Sequence, residues 1–562
     1  MASIRGGSFL LEELFPDEIF TPEDLNEEHE AVGKTVDAFW ARDVAANLEA
    51  VQRHEPGTAL RLLKRAAELG LTGITIPEQY GGMELDLASA IVVAEHMGRD
   101  GSFSGWHGAH TVIGTLPVLY YGNEEQKQRY LPRLAGMQML AAYALTEPHA
   151  GSDALAARTT AVLNVDRTYY VLNGQKMWIT NGGHADLFTV FAKVDGEHFT
   201  AFLVERSFGV KSGVEEKKMG IKGTSTTAVY FDNVWVPVEN VLGEVGRGHV
   251  IAFNILDLGR LSLGASMLGA AKHVLALSLR YAEQRKAFGS PIGEFGAIQH
   301  KLAEMAVRIF ATESMVWRAV GAIQTGQLPK AVEEFAVECS IVKVFASEML
   351  DYVADEGVQI HGGYGFHQDY AVERAYRDAR INRIFEGTNE INRLLIPGML
   401  LKREARGQLG LSAAVEQVMN EVLSGPEEAG PDEELRLVRQ ARKIALFAFG
   451  LVQQRFGVDQ EKAQEVQMAL ADIVMDVYAM ESTLLRSRKT GKGADLCSVF
   501  LRDAMARIEV TARSVLAACS SGDALRVNLT VLRRFAKYEP LDAIGIRRMT
   551  AARLLGAERY VV

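Results

Sequence analysis

Cysteine is scarce in this chain. Three thiols, Cys339, Cys497 and Cys519, are scattered over 562 residues and form no CxxC pair. That excludes a disulfide framework and a cysteine-based zinc site, and it fits buried thiols in a reducing compartment. Long apolar runs are missing as well, since none approaches the roughly 20 residues of a spanning helix. Positive charge is not in excess. The formal net charge of -11 argues against nucleic acid as a partner, while leaving room for a local basic pocket that holds an anion. No Walker A sequence, HExxH or nucleophile elbow occurs. The N-terminus, Met1-Ala2-Ser3-Ile4-Arg5-Gly6-Gly7, meets acidic residues early and has no apolar core behind a basic start. No secretory or mitochondrial targeting signal is evident in it. A bacterial cytoplasmic protein, or an organellar one already processed, is the expectation.

The length asks for three or four domains. Apolar residues at 48% and charged residues at 23% are ordinary for a globular chain. Residues 20–140 read as helices. Thr21-Pro22-Glu23-Asp24 is a helix start, Thr58 is placed to cap a helix of Ala59 to Leu69, and helical patterns resume at Leu87 and Ala109. Residues 141–247 change character. β-Branched and aromatic runs, separated by Asn173-Gly174, Asn181-Gly182-Gly183 and Asp195-Gly196, predict an antiparallel β domain. Long helices return from Gly248 to Tyr281, Ile298 to Ile323 and Ala331 to Ile360, the makings of a bundle over residues 248–404. Residues 405–431 read as a linker. Residues 432–562 read as a further helical domain, broken at Gly457, Gly491-Lys492-Gly493 and Ser520-Ser521-Gly522.

Five stretches can carry chemistry. In Arg383-Ile384-Phe385-Glu386-Gly387-Thr388-Asn389-Glu390, a carboxylate follows an aromatic ring and precedes a glycine. The glycine permits a tight turn with close ligand approach, and the ring can keep water away and raise the acid's pKa. The plain alternative is a solvated turn at a helix end. Thr146-Glu147-Pro148-His149-Ala150-Gly151-Ser152-Asp153 offers hydroxyls and an approachable backbone. Trp178 and Thr180 alternate on one strand face, where they can hold an aromatic cofactor or serve as core and turn. Gln359-Ile360-His361-Gly362-Gly363-Tyr364-Gly365 ends a helix and can cradle phosphate, though no strand precedes it as a dinucleotide fingerprint requires. Arg260, interrupting an apolar pattern, and Arg285, at a helix end, can each bind phosphate. His107 and His110 share a helical face without a third metal ligand nearby, so packing is their expected role.

These stretches, in their order along the chain, resemble the acyl-CoA dehydrogenase family over about residues 20–402. The motifs that carry the likeness are Thr146 to Asp153, Trp178 to Gly182, Arg285-x-x-Phe288-Gly289, Gln359 to Phe366, and Glu386-Gly387-Thr388. Glu215 to Lys222 and the additional C-terminal helices resemble the very-long-chain branch. The resemblance implies a mainly α fold with an inserted β domain: an N-terminal helical domain, a central antiparallel β domain, a four-helix bundle and a second helical bundle. It implies FAD held by Tyr143, Leu145, Thr146, Gly151, Ser152, Trp178, Ile179 and Thr180, with Thr388 and Glu390 beside the base loop. Arg285, Phe288, Gln359, Gly362 and Gly363 of a neighbouring subunit would complete that site, so a homodimer at least is implied. A fatty acyl-CoA would meet Ser152, Asp257, Arg260, Phe385 and Gly387, and no metal is involved.

By the same resemblance Glu386 is the base that removes the α-proton, and its backbone N–H polarises the thioester carbonyl. Hydride passes to the flavin and electrons go on to an electron-transfer flavoprotein. A free Glu, with a pKa of about 4.3, is a weak base, and a bound acyl chain that expels water would strengthen it. Some relatives carry the base on an earlier helix, where this chain has Gly259. The likeness also places small residues beside the deep end of the acyl channel. Gly114 keeps room there, while Pro117 narrows or redirects it. An oxygen-using oxidase of the same fold and a non-catalytic scaffold are the competing expectations. Ser412 to Leu423 is amphipathic and could meet a membrane surface, but its polar face is acidic where an interfacial helix normally carries Lys and Arg.

Overall fold

The computed structural model of the protein describes residues 4–424 and 432–562. Residues 1–3 and the 425–431 part of the expected linker lie outside these. Asn26 caps α1 (Glu27–Phe39) by accepting from the His29 N–H at 3.0 Å. The Thr21-Pro22 start forms a single 3-10 turn, Pro22–Asp24, rather than a long helix. Helix α2 (Thr58–Glu68) is capped by Gly57 at φ 75, which puts Thr58 inside the first turn and not at the cap. Next come α3 (Leu87–Met97), α4 (Gly101–Gly108) with a π-turn behind it, and α5 (Glu124–Ala135).

The β domain has the strands β1 (Ala141–Ala144), β2 (Thr160–Leu163), β3 (Tyr169–Thr180), β4 (Leu187–Val194), β5 (His198–Glu205), β6 (Lys211–Ser212), β7 (Thr226–Pro237) and β8 (Val241–Leu242). Their order is β6-β7-β3-β2-β4-β5-β8, with β1 beside β4. The expectation of an antiparallel domain is corrected: β1 and β2 both run parallel to β4, and the sheet is mixed. Turn residues mislead here for a physical reason. Asp195 and Gly196, at φ 53 and 78, do make the β4–β5 hairpin. Asn173-Gly174 makes no turn and lies inside β3, where the register to β7 shifts. Gly174 permits that bulge, because a Cβ there would come within 2.5 Å of Thr159 Oγ1.

Five helices follow: α6 (Gly248–Gln284), α7 (Gly296–Gln324), α8 (Ala336–His361), α9 (Ala371–Ala379) and α10 (Asn389–Ala405). The helix expected from Ala331 is interrupted at Phe335 and becomes a short turn of helix followed by α8. Helix α6 is long and apolar enough to cross a membrane by length and composition, but 67% of its apolar window is buried among its neighbours.

The C-terminal helices are α11 (Leu411–Ser424), α12 (Glu433–Phe456), α13 (Gln464–Thr490), α14 (Ala494–Cys519), α15 (Gly522–Phe535) and α16 (Ala543–Ala557). Half of the expected linker is therefore helix α11, whose Val415 and Met419 pack over Gly450 of α12. The C-terminal bundle is not a separate body. Helices α13 and α16 pack on α7, and one continuous apolar core runs from Phe9 through the bundle to Leu554. Phe9 meets Tyr478 edge-on at 4.9 Å between ring centroids.

Candidate active site

The loop between α9 and α10 turns on two consecutive left-handed residues, Glu386 at φ 56 and Gly387 at φ 80. Glycine takes this conformation freely, whereas a glutamate is strained in it by about 1–2 kcal/mol. The surroundings therefore have to hold the loop, and they do so through its carbonyls. Arg260 Nε donates to the Glu386 carbonyl at 3.0 Å. Lys343 Nζ donates to the Gly387 carbonyl at 2.7 Å and to Asn389 Oδ1 at 2.8 Å. Asn392 Nδ2 reaches the Glu386, Gly387 and Thr388 carbonyls at 3.3, 2.8 and 3.1 Å. Thr388 caps α10 with its side chain.

The Glu386 carboxylate itself is left free. Its Oε2 is sealed from solvent and has no hydrogen-bond partner among the described residues. A Cβ placed on Gly259 would come within 3.0 Å of that oxygen. Gly259 thus keeps open the space in front of the acid. Burial raises the Glu386 pKa to about 7, against the lowering pull of Arg260 and Lys343 and with a push from Asp257. Burial also lowers Lys343 to about 7, with Glu386 pulling the other way. The Glu386 backbone N–H donates to no acceptor among the described residues.

A cavity of about 430 Å³ opens from this acid. Thr180 from β3, Gly105 and Gly108 from α4, Gly259 from α6, and Phe385 all line it. Gly114 and Pro117 do not: a Cβ on Gly114 would meet Ala141, and Pro117 is buried in the N-terminal helices. The expectation that this pair lines the channel is corrected: of these small residues, Gly105 and Gly108 stand on the wall. Asp257 and Arg260 are likewise absent from the cavity wall. They form a buried ion pair of 2.6 Å, and Arg260 Nε donates to the Glu386 carbonyl. Arg260 therefore supports the base loop, and neither residue stands on the cavity wall.

The remaining expected residues fall into two groups. The first surrounds the ends of β1 and β3. Tyr143 is buried beside Glu386 and donates to the Ala252 carbonyl at 3.2 Å. The Leu145 carbonyl accepts from Lys176 Nζ, and the Thr146 carbonyl from the Met177 N–H. Gly151 and Ser152 are exposed, with nothing within 4 Å of a Cβ at Gly151. Trp178 is not on a regular strand: it stands at φ 60 beside a register shift, 56% exposed. Ile179 turns its side chain into the β core, which leaves only its backbone for a ligand. Beneath the loop lies a buried ion pair, Glu147–Lys176 at 2.7 Å, with Thr159 donating to the same carboxylate.

The second group lies elsewhere. Arg285, Phe288, Gly362 and Gly363 line a separate surface depression of about 660 Å³, and Gln359 is exposed beside them in sequence. Phe288 is 98% exposed at φ 52, and Arg285 stacks over Tyr364 at 5.7 Å. Nothing lies within 4 Å of a Cβ on Gly362 or Gly363. Thr388 shares the loop with Glu386, while Glu390 points to solvent. His107 and His110 bind the Leu71 and Leu134 carbonyls, as packing residues would, and no metal-ligating cluster occurs among the described residues.

An uncovered Trp178 ring, the open backbone at Gly151 and the Thr180 hydroxyl on the wall of the acid's cavity suit a flat heteroaromatic group with a phosphate tail. FAD is such a group. Lys343, Asn389 and Asn392 were not singled out from sequence. A lone lysine inside the apolar run Ile341-Val342-Lys343-Val344 was the available signal.

Comparison with known proteins agrees. Family models for the acyl-CoA dehydrogenase N-terminal domain match residues 26–138, for the middle domain 142–234, and for the C-terminal domain 246–400. A further acyl-CoA dehydrogenase C-terminal domain model matches 440–534. The chain is 48% identical to a probable acyl-CoA dehydrogenase of Bacillus subtilis (strain 168), over 99% of this chain and 98% of that one. It is 37% identical to the mitochondrial very long-chain specific acyl-CoA dehydrogenase of Mus musculus, over 86% of this chain and 78% of the relative. A crystal structure of an acyl-CoA dehydrogenase complexed with FAD, from Bacillus anthracis, superposes with a TM-score of 0.97 at 47% identity, covering all of both chains.

Proposed function

This chain belongs to the acyl-CoA dehydrogenase family of FAD-dependent oxidoreductases, and from that premise we propose that it desaturates long-chain acyl-CoA between Cα and Cβ. The observation that carries the reading is the Glu386 carboxylate on the cavity wall beside Gly259, with its Oε2 sealed and unpartnered and its pKa raised by burial to about 7.

A buried carboxylate near neutrality can take a proton that a solvated one would leave in place. The Glu386 carboxylate takes the α-proton. The Glu386 amide N–H donates to the thioester carbonyl oxygen and stabilises the charge that builds there. Arg260, Lys343 and Asn392 keep that amide and that carboxylate fixed through the loop carbonyls, so the loop has little to reorganise as charge moves. The cavity wall excludes water from the acid. Trp178, Thr180, Thr146 and Ser152 would hold FAD, which when bound supplies the acceptor for the β-hydrogen as hydride.

Length supports a long chain. The cavity follows one face of α6 from Gly259 to His273, through Ser262, Leu263, Ser266, Met267 and Ala270. Fourteen residues of helix span about 21 Å. An extended chain with bonds of about 1.5 Å and near-tetrahedral angles advances about 1.25 Å per carbon, so roughly sixteen to eighteen carbons fit. The separation of the Arg285 depression from this cavity supports a homodimer, in which one copy completes the cofactor site of the other. Electrons leave to an electron-transfer flavoprotein in this reading.

The test is anaerobic bleaching of the FAD-loaded protein by acyl-CoAs of graded length. Long saturated chains are expected to bleach it, and Glu386→Gln is expected to keep its FAD while losing about 10²–10⁴-fold in bleaching rate. Bleaching by no thioester, or undiminished bleaching in the variant, would overturn the proposal. Reoxidation by electron-transfer flavoprotein without peroxide is the expected second half; peroxide on turnover would point to an oxidase.

A further inference from the structure

The far end of the cavity is polar. The stripe of α6 that begins at Gly259 ends on His273, and the imidazole of His273 makes no hydrogen bond to any described residue. Around it on the wall stand Arg99, Asp100, Arg374 and Asp378. Unlike the histidine, these four are committed. Arg99 pairs with Asp37. Arg374 binds Asp100 at 3.2 Å and Glu49 at 2.9 Å. Asp100 caps α4 through the Ser102 and Phe103 N–H groups, and Asp378 accepts from the Ile221 N–H. A methyl-ended chain that fills the cavity would press its last carbons on a ring whose nitrogens no described protein group satisfies.

We propose that this end is a binding site for a hydroxyl at the far terminus of a long acyl chain, with His273 as the group that recognises it. The inference rests on the dehydrogenase reading and adds to it a class of substrate: long-chain acyl-CoA hydroxylated at the end remote from the thioester. Burial and the charges of Arg99, Arg280 and Arg374 keep His273 neutral, with its pKa down to about 4. A neutral imidazole offers one acceptor and one donor, which a hydroxyl can answer in either sense. A terminal carboxylate is matched less well. Both arginines on the wall already hold carboxylates, and Asp100 and Asp378 face the same space. The reaction is unchanged by this, since Glu386 still takes the α-proton some 21 Å away along α6.

The experiment uses the FAD-loaded full chain and measures kcat/KM for matched pairs of saturated thioesters: hexadecanoyl-CoA with 16-hydroxyhexadecanoyl-CoA, the eighteen-carbon pair, and a twelve-carbon pair that cannot reach His273. One neutral hydrogen bond is worth about 0.5–1.5 kcal/mol. The expected result is a roughly 3- to 10-fold preference for the hydroxylated member at sixteen or eighteen carbons, absent at twelve. His273→Leu should cancel the preference and His273→Gln should restore part of it, with bound FAD confirming the fold of each. Equal rates within both long pairs, or a preference that survives His273→Leu, would overturn the inference. Turnover of methyl-ended chains alone would overturn it while leaving the dehydrogenase reading intact; turnover of neither would remove both.

Discussion

At the scale of the residue, the site is a contest between burial and charge. Burial alone would push Glu386 further from its ordinary value, and Arg260 and Lys343 draw it back. Lys343 is the adjustable member, because Arg260 is already spent on Asp257. Replacing Lys343 with Met removes a cation whose effect on Glu386 is lowering, so the carboxyl keeps its proton to higher pH. The acid limb of the kcat/KM profile, which lies near pH 7 if Glu386 governs it, is expected to move up by about one unit. A limb that stays in place would show that Lys343 acts on the loop's shape alone. The roles proposed for Glu386, Gly387 and Thr388 are suggested by the sequence pattern around them. Lys343 and Asn392 could not, since each looks like an ordinary helix residue until the fold sets its side chain against the carbonyls of a distant loop.

At the scale of the element, glycines decide how closely helices cross and where a channel can run. A Cβ on Gly269 of α6 would fall 1.8 Å from the Glu95 carbonyl of α3, so the two backbones are in contact there. Gly269→Ala must part them, and overpacking of this kind costs roughly 1–3 kcal/mol. Gly108→Ala is the contrast: nothing lies within 4 Å of its Cβ, and helix propensity would gain up to about 1 kcal/mol. Thermal melts of the two FAD-loaded variants should therefore shift in opposite directions, and a stable Gly269→Ala would contradict the close crossing. The same reasoning explains the misplaced channel. Gly114 and Pro117 read as channel residues by their place in a pattern, but the fold packs Gly114 against Ala141 and buries Pro117, while Gly105 and Gly108 stand on the wall.

At the scale of the whole molecule, the C-terminal helices and the bundle are one structure. Glu481 of α13 is 3% exposed and binds Arg318 of α7 at 2.8 Å and Arg442 of α12. Arg318 also stacks over Tyr478 at 4.7 Å. Glu481→Ala leaves the buried Arg318 guanidinium without its carboxylate and Arg442 with only Glu13 at 3.8 Å, and breaking such a buried pair costs about 3–5 kcal/mol. Denaturant unfolding should show that loss in a single transition for the whole chain. Two transitions, with only the later helices affected, would mean that the second bundle is an independent unit after all.

The sequence by itself determined the family, the succession of helical, β and helical regions, and the acid proposed as the base. Those follow from local signals: periodicity, turn residues and short motifs whose members are neighbours in the chain. The tertiary structure decided the rest. It made the sheet mixed, because pairing partners are chosen across the domain and not between consecutive turns. It turned half of an expected linker into helix α11, since an apolar face finds α12 only after folding. It tied Arg260 to the Glu386 carbonyl, and set His273 and Glu386 on the wall of one cavity. Each of these depends on distances between residues far apart in the chain, which no stretch of sequence contains.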